Sequence, residues 1–523
     1  MKTITFRSDT AKEFLAASKT MARAVGATLG PSGRTVILER PGGPIATKDG
    51  VTVAKAMYSN TKLQNLCIQL IRDAADEAVK ECGDGTTTTT ILCESIFREG
   101  SKLVTAGAHP IKLKDGVDIG VRYCVQQFRK QAQQINDVDP QGRLSQIATT
   151  SCNGDKELGD AISKVIVEVG TGGVIQVEEG TGLETEWKIE SGLSMPSGYS
   201  SSYFANHDNT CELENPLILI TDAKIQYASH VLSLLERLYA AGKGVLIIAE
   251  EIIGEALTCL TVNAVRKNMK ICAVKASGVG DRRQAWLEDI AIATGTRVFS
   301  PKHGMPLEDV PLHMLGECER AIVTDTETII RSGKAFPKEM MNHVKKLYKQ
   351  LESLPSYDRE IMQERIAKIS GGIGLIQVGA DSELELKEKK ARLEDALSAT
   401  QAALEEGVLP GGGLVYARCV EGLTRLMSKH TGDERLGIQL LRDALQAPLR
   451  KLVSNVGMDA GEVIPGMKAS LPHHAWCART NRIDDMFELG VIDPAKVTRV
   501  ALQKAASVAM TLLTTEAAVH YSS

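Results

Sequence analysis

The segment Gly83-Asp84-Gly85-Thr86-Thr87-Thr88-Thr89-Thr90-Ile91-Leu92 is the most distinctive stretch of the chain. Its two glycines permit a tight turn, and the threonines are then predicted to open an apolar helix. Free N–H groups at a helix start, together with the helix dipole, favour phosphate oxygens. Asp84 is a hard oxygen ligand of the kind that Mg²⁺ prefers. The alternative is a well-capped helix start, because Thr and Asp are good caps, and this segment alone leaves both interpretations open.

Three further glycine turns could accompany this loop. They are Leu29-Gly30-Pro31-Ser32-Gly33 after a predicted helix, Thr47-Lys48-Asp49-Gly50 between predicted extended segments, and Pro410-Gly411-Gly412-Gly413 after a long predicted helix. Each alone is typical of an ordinary turn, although adjacent glycines also let the backbone approach an anionic ligand. Neither Gly-x-x-x-x-Gly-Lys-Ser/Thr nor a convincing Gly-x-Gly-x-x-Gly after a strand is present, which disfavours a P-loop or Rossmann site.

Asp395 is the second residue with a chemical interpretation. It lies in a predicted helix over 386–405, on the side opposite Leu393, because each helical residue advances about 100°. Its small neighbours Ser398 and Ala399 would let a ligand or another segment approach the carboxylate. The alternative is a solvated aspartate paired with Arg392.

The hydrophobic pattern predicts more than one domain in these 523 residues. The first third reads as mainly helical, including helices over 14–25, 63–78 and 91–103. In the middle, short apolar runs at 217–220, 245–248 and 271–274 alternate with helical stretches, which predicts an α/β domain with a buried sheet. From Glu383 onward the pattern is helical again, so one domain is predicted to be inserted into another.

Composition excludes several classes of function. The net charge is -4 and the basic residues are dispersed, so no nucleic-acid-binding face is predicted. No apolar run approaches the about 18 residues needed to span a membrane, and no signal segment is evident, so a cytoplasmic protein without a membrane partner is expected. The eleven cysteines show no zinc-finger spacing and are predicted to be reduced core residues.

The chain carries a series of short motifs in a characteristic order. They are Thr28-Leu29-Gly30-Pro31, Thr47-Lys48-Asp49-Gly50-Val51, Gly83-Asp84-Gly85-Thr86-Thr87-Thr88, Gly280-Asp281-Arg282-Arg283, Tyr357-Asp358-Arg359-Glu360, Glu394-Asp395-Ala396-Leu397, Gly411-Gly412-Gly413 and Asp493-Pro494. In content and order they resemble the GroEL-type large subunit of group I chaperonins, which are ATP-driven protein-folding machines. The resemblance covers essentially the whole chain.

The resemblance implies an α+β multidomain fold of three domains. Residues 1–132 with 407–523 would form a helical equatorial ATP-binding domain, residues 133–189 with 375–406 a small α/β intermediate hinge domain, and residues 190–374 an α/β apical client-binding domain. Gly192 and Gly372 match the family's hinge glycines. Subunits of this family form seven-membered rings stacked in pairs, consistent with closed cyclic symmetry.

The resemblance also implies an ATP site. Its residues would be Thr28, Leu29, Gly30, Pro31, Lys48, Asp84, Gly85, Thr86, Thr87, Thr88, Gly412, Cys477, Ala478, Arg479 and Asp493. Asp84 would hold Mg²⁺, while the backbone oxygens of Thr28 and Lys48 with the Thr87 hydroxyl would bind K⁺. Asp395, helped by Asp49, would orient or activate the attacking water. Catalysis of this kind is mainly positioning and charge neutralisation around a phosphoryl group.

The resemblance implies two kinds of protein partner, unfolded clients and a GroES-type lid co-chaperonin. The client-binding residues would be Tyr199, Tyr203, Phe204, Leu232, Leu235, Leu257 and Val262. The second apolar row around Leu232 is compatible with client binding and equally with a helix that is buried on both sides.

Several positions depart from the family pattern. Thr261 replaces an apolar client-binding residue, Ser197 stands where an Arg is common, Cys477-Ala478-Arg479 replaces Asn-Ala-Ala, and the Gly-Gly-Met tail is missing. These departures indicate a divergent paralogue. One hypothesis is an active ATP-hydrolysing foldase, and the other is a specialised copy with weakened ATPase cooperativity or folding activity that acts as a binding or structural protein. A small-molecule kinase is a third, less favoured interpretation, because no acceptor pocket is evident.

Overall fold

The computed structural model describes most of the chain. The described residues are 2–39, 43–135, 140–152, 155–169, 174–180, 182–190, 192–207, 209–266, 269–301, 307–333, 337–351, 362, 365–366, 369, 372–468 and 470–521. They form two compact units, a terminal unit (1–163 with 387–523) and a central unit (164–386). The two ends of the chain therefore combine in one unit, and the middle of the chain forms the other. The three-domain boundaries drawn from the resemblance stay a prediction.

The helices follow the predicted order with longer ends. In chain order they are α1 (Arg7–Gly26), α2 (Gly50–Ala56), α3 (Lys62–Cys82), α4 (Thr86–Thr105), α5 (Pro110–Gln131), α6 (Pro140–Ser151), α7 (Lys156–Val169), α8 (Ser229–Ala241), α9 (Gly254–Arg266), α10 (Asp281–Ala293), α11 (Pro337–Leu351), α12 (Glu383–Glu406), α13 (Leu414–Met427), α14 (Gly432–Ala444), α15 (Ala447–Val456), α16 (Ala460–Lys468) and α17 (Ala495–Thr514). No helix within these described ranges is both long and apolar enough to cross a membrane.

The strands are short and most lie in the central unit. In chain order they are β1 (Lys2–Phe6), β2 (Val36–Leu38), β3 (Ile45–Thr47), β4 (Val174–Glu179), β5 (Glu186–Glu190), β6 (Gly192–Met195), β7 (Cys211–Glu214), β8 (Leu217–Ile220), β9 (Lys224–Ile225), β10 (Val245–Ala249), β11 (Glu251–Ile252), β12 (Ile271–Lys275), β13 (Gly316–Val323), β14 (Thr328–Gly333), β15 (Ile373–Val378), β16 (Val408–Pro410), β17 (His474–Cys477), β18 (Arg482–Asp485), β19 (Ile492–Pro494) and β20 (Ala517–Tyr521). Together with the helices they confirm the mixed α+β multidomain fold.

The terminal unit is a bundle of closely packed helices. Helix α17 packs against α3, α4 and α5, and α14 packs against α5. Large side chains of α4, such as Ile96 and Phe97, share the core with small residues of α17, such as Ala505 and Ala509. Small residues let helix axes approach closely. The cysteines of the chain are free and, apart from the half-buried Cys259, buried, which confirms their prediction as core residues.

Two strand pairs join the ends of the chain within this unit. Strand β1 pairs antiparallel with β20, so that Lys2 lies opposite Tyr521. Strand β16 pairs antiparallel with β19, so that Leu409 lies opposite Asp493. The second pairing brings the glycine turn that follows Pro410 beside Asp493.

The central unit is built on a mixed sheet with the strand order β12-β10-β8-β13-β14-β6, and β7 also pairs with β13. Strands β8, β10 and β12 are parallel neighbours, and their residues are almost entirely buried. Helices α8 and α9 connect these strands, as expected for parallel strands that need crossover helices. A smaller sheet of the order β4-β15-β5 belongs to the same unit. The α/β interpretation of the middle of the chain is confirmed.

One local prediction is wrong. The sequence predicts an extended segment on both sides of Asp49-Gly50, but helix α2 begins at Gly50. The Asp49 side chain accepts hydrogen bonds from the N–H groups of Val51 and Thr52 and so caps this helix. The motif Tyr357-Asp358-Arg359-Glu360 lies outside the described residues.

Candidate functional site

The loop before α4 has an unusual backbone and a polar helix start. Gly83 has φ 73° and Gly85 has φ 102°, values that glycine adopts without the strain other residues would carry. No side chain caps the start of α4, and the buried hydroxyls of Thr86 and Thr89 have no hydrogen-bond partner within the described part of the chain. The capping interpretation of the threonine run therefore fails, and the helix start keeps its N–H groups and two hydroxyls available to an anion.

The loop after α1 and the start of α2 meet this helix start at Gly50. A Cβ built on Gly50 would lie 2.2 Å from Thr87 Oγ1 and 3.3 Å from Thr28 Oγ1. Thr28 is buried, and its hydroxyl donates to the Val25 carbonyl at 2.7 Å. Thr28, Gly50 and Thr87 belong to three segments that are far apart in sequence, and they therefore lie close together in the fold. Lys48 lies two residues before Gly50 in the sequence.

The Asp49 carboxylate is fixed by the helix that it caps. Its Oδ2 accepts the Thr52 N–H at 2.7 Å and the Thr52 hydroxyl at 2.6 Å, and its Oδ1 accepts the Val51 N–H at 3.1 Å. These bonds hold an exposed carboxylate in one orientation next to the point where Gly50 meets Thr87. Structural capping and a catalytic role are therefore compatible in the same residue.

Small residues of helix α12 contact the loop of residues 83–85, which precedes α4, at Gly83. A Cβ built on Gly83 would lie 2.1 Å from Ser398 Cβ, 2.9 Å from the Asp395 carbonyl oxygen and 3.0 Å from Ala399 N. Glycine at 83 and small residues at 398 and 399 allow this approach, so the small residues around Asp395 let its helix lie against Gly83. The neighbouring Arg392 pairs with Glu388, which leaves the predicted Asp395–Arg392 pair unsupported.

The glycine turn at 411–413 contributes an open backbone beside Asp493. Asp493 Oδ1 lies 3.1 Å from a Cβ built on Gly411. Gly412 has φ 71°, and a Cβ built there would meet no atom within 4 Å in the described structure. Gly412 therefore offers backbone that a ligand can approach, with the Asp493 carboxylate next to it.

The carboxylates of this site influence one another electrostatically. Burial, followed by the charges of Asp84 and Asp49, raises the pKa of Asp395 to about 7. Burial and the charge of Asp84 likewise raise the pKa of Asp493 to about 7. The Asp84 side chain is exposed to solvent, yet the surrounding protein partly desolvates its carboxylate and raises its pKa. The site therefore concentrates negative charge and favours a cation.

A divalent cation fits this charge but needs further ligands. Among the described residues, no three His, Cys, Asp or Glu side chains lie close enough together to hold a metal ion by themselves. Mg²⁺ is usually held by one or two carboxylates together with substrate phosphates and water. The arrangement of Asp84 beside an uncapped helix start fits a cation that arrives with a phosphate group.

The hairpin of β17 and β18 supplies the remaining predicted ATP-binding residues. Cys477 is buried in a cluster with Leu414 and Trp476, so its side chain is not available to a ligand. Ala478 is half-buried and Arg479 is exposed at the turn. Ala478 and Arg479 are therefore the accessible positions of the three, and the assignment of Cys477, Ala478 and Arg479 to ATP binding stays a prediction.

The predicted client-binding residues of the central unit divide into an exposed and a buried set. Tyr203 is 71% exposed, Leu232 48% and Val262 43%, while Tyr199 and Leu257 are half-buried. Phe204 and Leu235 are each only 3% exposed and belong to the core of the unit. Their burial gives no support to a client contact, and their assignment to the client surface stays a prediction.

Thr89 was not predicted as a site residue, yet its hydroxyl is as buried as that of Thr86 and likewise has no partner within the described residues. The signal was present, because Thr89 belongs to the same threonine run and lies one helical turn after Gly85. The residues that the resemblance implies in this run end at Thr88. Thr90 is equally buried, but its hydroxyl donates to the Thr86 carbonyl at 2.9 Å, so the lack of a partner distinguishes Thr86 and Thr89.

The raised pKa of Asp395 predicts a pH-dependent stability. A carboxylate whose pKa is higher in the folded than in the unfolded state destabilises the fold increasingly as pH rises from about 4 through about 7. We expect Asp395→Asn to raise the free energy of unfolding of the ligand-free protein by about 1–2 kcal/mol at about pH 8, after allowance for solvent screening. Denaturant unfolding of both proteins measures this difference, which shrinks towards about pH 5. A difference that does not change with pH contradicts the prediction.

The whole chain is similar to known proteins of one kind. The family model described as the TCP-1/cpn60 chaperonin family matches residues 21–522. Among solved structures, the chain is similar to the chaperonin gp146 from the bacteriophage EL 2 (Pseudomonas aeruginosa) in the presence of ATP-BeFx, with a TM-score of 0.76 in crystal form II and 0.68 in crystal form I. Each match has 21% sequence identity and covers 99% of both chains. At this identity the structural likeness shows the fold.

Proposed function

The chain belongs to the TCP-1/cpn60 chaperonin family, and on this premise we propose that it is an ATP-dependent chaperonin subunit that binds non-native proteins and promotes their folding inside a ring cavity. The observation that carries this proposal is the convergence of loops in the terminal unit. Thr28, Gly50 and Thr87 meet at one point, and Asp395 belongs to a helix that lies against the adjoining glycine loop.

The polar groups of this site suit the hydrolysis of a nucleoside triphosphate. The start of α4 and the hydroxyls of Thr86 and Thr89 would bind phosphate oxygens. Asp84 would hold Mg²⁺, which when bound neutralises charge on the phosphates. The carbonyls of Thr28 and Lys48 with the Thr87 hydroxyl would hold K⁺. Asp395 would orient the attacking water with help from Asp49, and its raised pKa favours a role as a proton acceptor near neutral pH.

The central unit would bind clients through its exposed apolar side chains. Leu232 on α8 and Val262 on α9 lie on helices that pack together, and Tyr203 is exposed in the same unit. Exposed apolar residues on neighbouring elements are typical of protein-binding surfaces. The hydroxyl of Thr261 is bonded to the Leu257 and Thr258 carbonyls of its own helix, so it interrupts this surface without exposing an unpaired donor.

The double variant Leu232→Ser with Val262→Ser tests the client surface. We expect about tenfold weaker capture of an unfolded client protein, because two apolar side chains that would be buried in the complex are lost. Light scattering from a chemically denatured client at increasing chaperonin concentration measures the capture. Ile111→Ser is the matched control, since Ile111 is an exposed apolar residue of the terminal unit. Equal loss in the control and the double variant counts against this surface.

Assembly and location are parts of the same proposal. The exposed side chains Ile4, Phe6 and Val519 on the β1–β20 pair support contacts between subunits. Rings of seven that are stacked in pairs are what the resemblance to the family implies. A GroES-type lid would dock on the central unit. The free cysteines support a reducing compartment, and we assign the protein to the cytoplasm.

The second candidate is a specialised chaperonin copy that binds proteins with weakened ATPase cooperativity or folding activity. Two observations favour it, namely the polar Thr261 on the client surface and the burial of Cys477 on the hairpin. Complementation of a chaperonin-depleted cell separates the two candidates. Full complementation removes the specialised function, and failure by a protein that hydrolyses ATP supports it.

The direct test of the proposed function is phosphate release from ATP by the purified assembled protein, with and without Mg²⁺ and K⁺. We expect hydrolysis that depends on Mg²⁺, increases with K⁺ and accompanies the refolding of a denatured client. A purified assembly that binds no nucleotide and releases no phosphate would refute the enzymatic part of the proposal.

A further inference from the structure

Helix α15 (Ala447–Val456) contacts three of the segments that are assigned above to nucleotide binding, although it contains none of the assigned residues. It touches the loop after α1, the glycine turn at 411–413 and the hairpin of β17 and β18. The contacts lie along one short helix, so a change in its position would reach all three segments together.

The contact with the loop after α1 is a pair of hydrogen bonds from one side chain. The Asn455 Nδ2 group donates to the Gly26 carbonyl at 3.0 Å and to the Leu29 carbonyl at 2.9 Å. Gly26 is the last residue of α1, and carbonyls at a helix end have no partner inside their own helix. The side chain of Asn455 therefore bonds the carbonyls on both sides of the turn that carries Thr28, although the Gly26 carbonyl also accepts the Leu29 N–H at 3.2 Å.

Two further side chains of α15 hold the same loop by packing. Leu452 Cδ2 lies 2.4 Å from a Cβ built on Gly30, so the leucine occupies the space that a side chain at 30 would need. Lys451 Cε lies 2.9 Å from a Cβ built on Gly26. Lys451, Leu452 and Asn455 lie on one side of α15, because residues four apart in a helix share a face.

The other side of α15 supports the glycine turn and the hairpin. Leu449 N lies 3.3 Å from a Cβ built on Gly413. Leu449 and Val453 are fully buried in a cluster that also contains Trp476 and Cys477 of the hairpin. The backbone of the glycine turn and the base of the hairpin are thus packed against the same helix that holds the loop after α1.

We infer that Asn455 is a positioning residue for the nucleotide site, holding the loop at residues 27–31 in its binding conformation from helix α15. The inference rests on the proposed function, because it concerns the same site. Asn455 touches no reacting group and acts through the Gly26 and Leu29 carbonyls. When the loop is already ordered in the free protein, binding does not have to supply the conformational entropy lost on ordering it. The loss of Asn455 is therefore expected to lower mainly the affinity for nucleotide.

The test compares wild type with Asn455→Ala, which removes both donors, and Asn455→Asp, which keeps the size but offers oxygens to two carbonyls. We expect about tenfold weaker binding of Mg²⁺–ADP and a corresponding rise in KM for ATP in both variants. The value of kcat is expected to change little, because Asp395 and Asp49 are untouched. Asn455→Gln keeps the amide donors and is expected to recover part of the affinity.

A measurement without nucleotide keeps the inference separate from the proposed function. Hydrogen exchange of the amides of residues 28–34 is expected to be faster in Asn455→Ala than in wild type, while exchange in α14 is unchanged. Ser454→Ala is the matched control, since Ser454 is exposed on the same helix and its hydroxyl donates to the Lys451 carbonyl of that helix. Ile438→Val on α14 controls for general destabilisation, because Ile438 is buried away from these contacts.

The outcomes distinguish the two claims. Wild type that binds no nucleotide refutes the proposed function, and faster loop exchange in Asn455→Ala then still supports the positioning of the loop. Wild type that binds nucleotide, with Asn455 variants of unchanged affinity and unchanged loop exchange, overturns the inference alone. A parallel loss of kcat, affinity and stability, matched by Ile438→Val, also overturns it, because the role of Asn455 would then be general stability.

Discussion

Replacement of Asp395 by alanine is expected to lower the rate of ATP hydrolysis by about 10²–10⁴-fold, with nucleotide binding largely retained. The reason is the placement of this carboxylate. It belongs to the part of α12 that lies against the Gly83 loop, and its pKa of about 7 lets it accept a proton near neutral pH. Single-turnover hydrolysis measures the chemical step, and titration with Mg²⁺–ADP measures binding separately.

The control for this variant is Asp73→Ala. Asp73 is an exposed aspartate of α3 in the same unit, and its removal is expected to leave hydrolysis unchanged. A turnover rate of Asp395→Ala within about threefold of wild type would contradict the catalytic role and leave Asp395 as a desolvated carboxylate without function. A variant that loses binding and hydrolysis together would instead indicate that α12 had moved away from the glycine loop.

The second large effect concerns Asp84. We expect Asp84→Asn to lower kcat/KM for ATP by about 10²–10³-fold and to remove most of the Mg²⁺ dependence of nucleotide binding. Asparagine keeps the size of the side chain and can still accept the Gly85 N–H through its carbonyl oxygen, a bond that is 2.5 Å long in the structure. A loss of activity in Asp84→Asn would therefore result from the removal of the negative charge, because the conformation of the loop is expected to be retained. Mg²⁺ titrations of hydrolysis and of nucleotide binding measure the effect.

The same variant has an independent electrostatic consequence. The charge of Asp84 contributes to the raised pKa values of both Asp395 and Asp493, so its removal is expected to lower both. Carboxylate titration followed by spectroscopy detects this shift in the ligand-free protein. Asp73→Asn again serves as the control. Normal Mg²⁺ dependence in Asp84→Asn, with the pKa shift present, would show that the charge is correctly placed but that the metal binds elsewhere.

The local elements were largely predictable. The predicted helix over 63–78 lies within α3, the one over 91–103 lies within α4, and the runs at 217–220, 245–248 and 271–274 are buried strands. The periodicity of apolar residues indicates the face that a helix or strand buries. A short segment of sequence was therefore sufficient to predict each of these elements. The ends were less predictable, because α1 begins at Arg7, directly after a strand whose partner is β20.

The candidate site was predictable in its residue types but only partly in its surroundings. The threonine run, Asp84 and Asp395 stood out because few residues combine phosphate and metal chemistry. Their assignment as ATP-binding and catalytic residues stays a prediction. The burial of Phe204 and Leu235 was not evident, because a helix with apolar residues on two sides does not reveal which side the core covers. Asn455 gave no signal, since a single asparagine in a helix is ordinary.

By itself, the sequence determined the family, the alternation of helices and strands, and the side chains that can bind a phosphate or a cation, because these depend on local pattern and on the chemistry of each residue. Only the tertiary structure decided which of them meet. Asn455 and Leu29 are bonded across 426 positions of the chain, and Asp493 reaches the glycine turn through the pairing of β16 with β19. Such contacts, and the pKa values that arise from them, depend on how the whole unit packs, since burial and the distance between charges are properties of the folded chain.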